Sequence, residues 1–222
     1  APISTENRFG STESSYDFTN SRSPISIPSS ESFNFRKKPF TISMWLTSEN
    51  VNDGYVLSKY KVGENNSFGI AVRGNGIVYN FVVSEQPGLA VVSPPTELGS
   101  EWGMLTVSVE TQQLTVFVNG KIVAQGNIEA EEYTIDNQIP LMIGGLPNQV
   151  QPYIGKIDDV RIYNRALSAT QVAQLYEYES TPPAPKPIEE WIDDGLVAYY
   201  PFDGDAKDAS GNAIEPGKYS LR

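Results

Sequence analysis

Gly155-Lys-Ile-Asp-Asp-Val-Arg-Ile-Tyr-Asn-Arg-Ala-Leu-Ser168 is the stretch that decides the fold. It reads as the last strand of a β-sandwich, running from about Tyr153 to Tyr163 and followed by a short helical pattern. Ser168 can cap that helix, and Ala169, Val172, Ala173 and Leu175 give it an apolar stripe. A second stretch, Gly195-Leu-Val-Ala-Tyr-Tyr-Pro-Phe-Asp-Gly-Asp-Ala-Lys-Asp-Ala-Ser-Gly-Asn212, reads as the first strand of such a sandwich. It nevertheless comes after the last one.

Upstream, the pattern from Tyr16 to Val123 is almost wholly β. Phe40-Thr-Ile-Ser-Met-Trp-Leu46 alternates, with Phe40, Ile42, Met44 and Leu46 on one face and Thr41, Ser43 and Trp45 on the other. Both faces carry apolar bulk, so this strand lies between layers. Strands follow at Ser67–Val72 and Gly76–Val83, around the turn signal Arg73-Gly-Asn-Gly76. Leu105–Val109 alternates as well. Leu114-Thr-Val-Phe-Val118 leads into Asn119-Gly120, a strong hairpin signal, and on to Lys121–Val123. Ile139–Gly145 supplies another strand. Many short strands with one late helix predict an all-β, antiparallel two-sheet sandwich, its short helix covering one end.

Ser180-Thr-Pro-Pro-Ala-Pro-Lys-Pro187 breaks the pattern, because its prolines favour polyproline II and cannot donate to a ladder. The chain therefore divides into a sandwich over 1–178, a linker over 179–194, and a returning strand and loop over 195–222. Extended, that linker reaches about 50 Å. This is enough to bring the strand back to its own sandwich or to give it to a neighbour. A tethered strand has a high effective concentration, which favours its own sandwich.

Composition narrows the chemistry. The chain has 222 residues, enough for one large core, and a net charge of −11. That charge repels phosphates and argues against nucleic acid; it is compatible with bound cations. No apolar run approaches the roughly 18 residues of a membrane span. There is no Cys and no His. Disulfides, thiolate or imidazole zinc sites, and Ser-His-Asp or Cys-His catalysis are thereby excluded. The metal chemistry that remains natural is hard-cation binding by oxygen.

Phe40-Thr-Ile-Ser-Met-Trp45, Leu114-Thr-Val-Phe-Val-Asn-Gly-Lys121 and the 155–167 stretch together resemble the laminin G-like, concanavalin A-like jelly-roll domains. The resemblance covers nearly all of residues 9–178. In that family the domain opens with a stretch like Gly195–Gly204, then reaches something like Asn7-Arg-Phe-Gly10 and Tyr16-Asp-Phe18. Here the opening strand is displaced to the C-terminal side, as in one period of a tandem array or in a circular permutant. The resemblance also implies a structural calcium on the loop after the opening strand, shared with the Asp158 region. Asp158, Asp203 and Asp208 are its expected side-chain ligands, with Asp205 and Asn212 weaker candidates. Asp, Gly and Asn are also ordinary turn residues.

Sugar-binding domains stack rings on exposed aromatics beside amides. Tyr55, Tyr60, Tyr79 and Tyr153 are the candidates, with Asn65, Asn66 and Asn80 as polar neighbours. Packing in core or rim is the competing reading for each. Trp45 reads as core, Trp102 as structural, and Trp191 as a residue by the linker. A glycosidase needs two carboxylates facing one bond. Glu129-Ala-Glu-Glu132 looks like a loop, and the adjacent Asp158 and Asp159 point to opposite faces of a strand. The expectation is a non-catalytic extracellular or cell-surface module. It binds glycans or proteins, is stabilised by calcium, and neighbours further repeats of the same array. A purely structural or adhesive unit is the alternative, and a glycoside hydrolase the third class.

Overall fold

The computed structural model describes residues 1–21, 23–35, 38–48, 54–60, 67–73, 76–82, 90–92, 98, 100–111, 113–127, 138–147, 151–182 and 191–217. In chain order the strands are β1 (Ile3–Thr5), β2 (Ser15–Asp17), β3 (Ile25–Ile27), β4 (Phe40–Ser48), β5 (Gly54–Lys59), β6 (Ser67–Arg73) and β7 (Gly76–Val82). They continue with β8 (Ala90–Val92), β9 (Gly103–Glu110), β10 (Gln113–Val118), β11 (Lys121–Asn127), β12 (Leu141–Ile143), β13 (Gly155–Tyr163) and β14 (Leu196–Tyr200). The helix α1 (Ala169–Ser180) lies between the last two strands, and a 3-10 turn covers Glu31–Phe33.

The strands form two antiparallel sheets. The eight-stranded sheet has the order β1-β2-β13-β4-β9-β10-β11, with β14 also paired to β13. The six-stranded sheet has the order β3-β12-β5-β6-β7-β8. Phe40, Ile42, Met44 and Leu46 enter the core between the sheets, together with Val56, Leu57, Phe68, Ile70, Leu105 and Val107. Trp45 faces the other way, as the alternation requires.

That other face is covered by α1. Val172 and Leu175 pack on Trp45, Met104, Phe117 and Tyr163, one from each of β4, β9, β10 and β13. The helix therefore lies on the outer face of the larger sheet, not over one end of the sandwich. The tight β10–β11 hairpin makes room for it: Asn119 and Gly120 both take positive φ (50° and 75°), as a type I′ turn requires. A Cβ on Gly120 would meet Ala173 Cα and Tyr176 Cβ at 3.2 Å. At its start, α1 carries a full capping box between Ser168 and Gln171.

β13 is the hinge of the arrangement. One of its edges pairs with β4 at Gly155–Asp158 and again at Arg161–Tyr163. Its other edge is shared: Lys156 and Ile157 pair with β2, and Val160 to Tyr163 pair with β14. The strand at 196–200 thus lies in the sandwich of its own chain. It brings Val197, Ala198, Tyr200 and Phe202 into the main core. Each large apolar side chain buried this way stabilises by about 1.5–3 kcal/mol.

Candidate functional site

Between its two partners on that edge, β13 is irregular. Its register against β4 shifts between Asp158 and Arg161, and Asp159 takes φ 46°, a left-handed conformation uncommon outside glycine. A bulge breaks strand alternation, so Asp158 and Asp159 do not point to opposite faces, as plain alternation predicts. Both carboxylates reach one guanidinium. Arg8 Nη1 donates to Asp158 Oδ2 at 2.9 Å, and Arg8 Nη2 lies 2.7 Å from Asp159 Oδ2.

Arg8 belongs to the segment between β1 and β2, which Asn7 shapes by accepting from the backbone N–H groups of Phe9 and Ser11. Its Nε donates to the Glu179 carbonyl at 3.0 Å, in the last turn of α1. Its guanidinium carbon lies 4.6 Å from the Phe9 ring centroid and 4.4 Å from that of Trp45. A second guanidinium sits beside it. Arg161 Nε donates to Glu179 Oε1 at 2.6 Å, and its guanidinium carbon is 3.6 Å from the Tyr199 ring centroid. Trp45 Nε1 donates to Glu179 Oε2 at 2.7 Å, and the Tyr199 hydroxyl donates to Asp159 Oδ1 at 2.5 Å.

The electrostatics follow from burial. Burial pushes the Asp158 carboxyl up, Asp159 adds to that, and Arg8 offsets only part of it. Burial also pushes Glu179 up, against the pull of Arg161. Burial works against the charge on Arg161, but Glu179 and the neighbouring Tyr199, Tyr163 and Asp159 more than compensate and hold it firmly charged.

This network forms one wall of a cavity of about 550 Å³. Asp193, Asp203, Ser210 and Thr181 line it too, with Ile192, Leu196 and Pro201 as apolar surface. Five carboxylates (Asp158, Asp159, Glu179, Asp193, Asp203) and two guanidinium groups (Arg8, Arg161) line it. Both arginines are held by internal partners, while Asp193 and Asp203 are exposed. The open part of the cavity therefore offers acceptors.

The residues expected to hold calcium are placed differently from a cation cage. Asp158 is 1% exposed, with Oδ2 on Arg8 and Oδ1 accepting from the Asp159 backbone N–H. Asp208 organises its own loop: it accepts from the backbone N–H groups of Tyr199, Ser210 and Ile214 and from the Ser210 hydroxyl. Partial burial opposes its charge, but those bonds outweigh that and leave its pKa lowered. Asp203 is exposed on the cavity wall, close enough to push Asp158 further up. Asp205 pairs with Lys207, and the Asn212 amide donates to the carbonyls of Leu196 and Val197. Among the described residues, no group of three His, Cys, Asp or Glu side chains is placed to hold a metal. Asp158 and Asp208 thus accept from partners within the chain, while Asp203 is exposed.

The aromatic candidates scatter. Tyr153 is 1% exposed in the main core, where its hydroxyl donates to the Thr47 carbonyl at 2.5 Å. Tyr55 is buried and stacks on the half-buried Tyr60, with centroids 6.0 Å apart, beside Ala71 and Leu146. Tyr79 and Asn80 belong to β7, opposite Ile70 and Gly69, and their side chains lie outside the described residues. Asn65, Asn66 and 129–132 lie outside them altogether. Trp45 is core, as its alternation predicts, and half-buried Trp102 and Trp191 pack against the same cluster under α1. Sequence reasoning missed Arg8, Arg161, Glu179 and Tyr199. The doublet Asp158-Asp159 was the one available signal, since two adjacent acids in an apolar strand need a counter-ion.

Residues 19–173 match the laminin G-type family model described as the Concanavalin A-like lectin/glucanases superfamily. A curated relative, adhesion G-protein coupled receptor V1 of Danio rerio, is 25% identical over 144 residues, which is 62% of this chain and 2% of the receptor. The chain thus spans a small fraction of that relative's length. Among solved structures, a proposed carbohydrate binding protein from Bacteroides ovatus is similar with a TM-score of 0.66 and 17% identity, over 92% of this chain and 57% of that one. The binding domain of Paraclostridial Mosquitocidal Protein 1 is similar with a TM-score of 0.65 and 19% identity, over 80% of this chain and 46% of that one. At these identities the structural likeness shows the fold. Among the described residues, no helix is long and apolar enough to cross a membrane.

Proposed function

Because the chain belongs to the concanavalin A-like lectin/glucanases superfamily, we propose that it is a non-catalytic recognition module of an extracellular or cell-surface protein, binding a carbohydrate or protein ligand at the cavity beside β13. The observation that carries this reading is the cavity itself. It is concave, partly apolar, and lined at its mouth by the exposed carboxylates of Asp193 and Asp203. Such a surface accepts hydrogen bonds from sugar hydroxyls or basic side chains and repels anionic ligands. The carboxylates that a hydrolase would need are spent on structure, since Asp158 and Asp159 share Arg8 and Glu179 holds Arg161. The binding roles named for the similar bacterial proteins support the reading.

Membership in a tandem array belongs to the same proposal. What supports it is the segment 195–212, which resembles a domain opening; the pairing of β14 with β13 in its own sandwich fits one period of an array and a circular permutant alike. A repeat phased this way is closed by its own C-terminal side.

The test is binding to an array of neutral, amino-bearing and sialylated glycans and to a panel of basic peptides, for the wild type and for Asp193→Ala/Asp203→Ala. The expected result is a ligand among the neutral or cationic members, weakened at least tenfold by the double substitution. Tight binding that the substitution leaves unchanged would place the ligand elsewhere and overturn the assignment of the cavity.

A further inference from the structure

A guanidinium, that of Arg8, lies on Asp158, one of the carboxylates expected to hold a calcium. We propose that Asp158, Asp159, the Glu179 carbonyl and the Trp45 ring form a guanidinium receptor, that Arg8 fills it from within the chain, and that an arginine side chain supplied by another molecule competes for it. The segment of residues 6–14 is then a latch, closed by its own arginine. This stands whether or not the cavity mouth takes a sugar.

The geometry is that of guanidinium recognition. Three acceptors surround Arg8: Asp158 Oδ2 at 2.9 Å, Asp159 Oδ2 at 2.7 Å and the Glu179 carbonyl at 3.0 Å. They engage Nη1, Nη2 and Nε in turn: Nη1 and Nε donate hydrogen bonds, and Nη2 lies at ion-pair distance from Asp159. The Trp45 ring lies 4.4 Å away, and that ring is itself fixed by its bond to Glu179 and by stacking on Tyr176 at 5.7 Å. Calcium wants six to eight oxygens in a shell, and an indole face supplies none. An ammonium is a compact, strongly hydrated point charge and lacks the planar fork that presents separate nitrogens to the three acceptors.

The receptor is also built independently of its occupant. Its parts come from β4, β13 and the end of α1, whereas Arg8 comes from a connection about 150 residues upstream of the acid pair. The acid pair converges because of a bulge in which Asp159 holds a positive φ. Tyr199 then fixes the second oxygen of Asp159 from β14. Backbone strain of this kind persists where the surroundings over-determine it, and here it serves to aim two carboxylates at one point.

The experiment uses the full chain carrying Arg8→Ala, followed by thermal melting and tryptophan fluorescence. Added probes are Nα-acetyl-arginine amide, Nα-acetyl-lysine amide and calcium chloride, each at about 20 mM. Removing one member of a buried ion pair should lower the melting temperature by roughly 6–20 °C. The arginine amide should recover several degrees with a saturable fluorescence change, and the lysine amide and calcium should recover almost nothing. Arg8→Ala/Asp159→Asn should not respond, and the wild type, in which the amide must displace a tethered Arg8, should respond only at far higher arginine amide concentration; no displacement there at any concentration would overturn the competition. Equal rescue by calcium or the lysine amide would overturn the proposal, showing only a sink for positive charge. No rescue by the arginine amide would overturn it too. Should Arg8→Ala fail to fold, Arg8→Lys serves instead: retaining the wild-type melt would defeat the proposal, and a lowered melt with arginine rescue would support it.

Discussion

Glu179 offers the sharpest test of the structure, because it is 5% exposed and bonded on both oxygens. In Glu179→Gln the side chain keeps its shape and loses its charge. One end of the amide is now a donor. Placed toward Arg161 Nε it opposes a donor 2.6 Å away; turned over, it opposes Trp45 Nε1, which sits at 2.7 Å. Either way a buried donor faces a donor, and Arg161 loses its counter-ion. Breaking a buried pair by removing one partner costs about 3–5 kcal/mol. For a chain of this length each kcal/mol corresponds to roughly 2–4 °C, so the melt should fall by about 6–20 °C. Calorimetry on the wild type, Glu179→Gln, Trp45→Phe and the double variant measures this. The two single losses share one bond, so the double variant should lose about 0.5–3 kcal/mol less than their sum. Burial also pushes the Glu179 carboxyl upward. A Glu179→Gln melt within about 2 °C of the wild type would mean that this push already leaves the residue neutral in the fold, and the reasoning from a charged pair would fail.

Two further outcomes follow from burial. Lys59 is fully buried in β5, with Nζ donating to the Ile139 carbonyl at 2.9 Å, and burial lowers its pKa from 10.5 to about 8. The folded state releases that proton first, so stability should rise between pH 8 and about 10, by at most about 3 kcal/mol, relative to a Lys59→Met control whose curve lacks the rise. Buried tyrosines such as Tyr163 and Tyr199 are pushed up and act in the opposite sense, but only above about pH 10, where the unfolded chain begins to ionise. A rise of equal size in both proteins would remove Lys59 as its source. Ending the chain after Ser180 deletes β14 and takes Val197, Tyr200 and Phe202 from the core. At about 1.5–3 kcal/mol each this is comparable to the roughly 5–15 kcal/mol that holds a whole domain together. The truncated chain should therefore lose its cooperative urea transition, and an unchanged midpoint would show that β14 is dispensable.

Local rules made most of the sandwich legible. Strict alternation in Phe40–Leu46 assigned both faces of β4, Asn119-Gly120 marked the hairpin, and Ser168 marked the helix start. Each of these signals is local in the sequence and physically specific. The three-residue strands β1, β2 and β3 were not legible, because three residues carry no periodicity. β5 hid for a related reason: all six of its residues are buried, so nothing alternates. The site was harder still. Alternation placed Asp158 and Asp159 on opposite faces, and it failed at a bulge that only the partners of β13 impose. Arg8 had no signal near it, since its meaning depends on acids about 150 residues away.

That bulge ties the fold to the site. β13 cannot pair β2 and β14 at the same point of one edge, so the edge must change partner between Ile157 and Val160. At the change two residues lack a partner on that edge, and in this chain they are Asp158 and Asp159. A strand gap would normally leave ladder groups to water. Here the side chains fill it: Arg8 arrives from the connection that precedes β2, and Tyr199 from β14, the two strands that flank the gap. Glu179 then closes the helix end over both guanidinium groups. β14 and the charged site are therefore not separate features. Bringing β14 onto β13 creates the seam, and the seam is where a sandwich of otherwise apolar packing has room for a charge-recognition site.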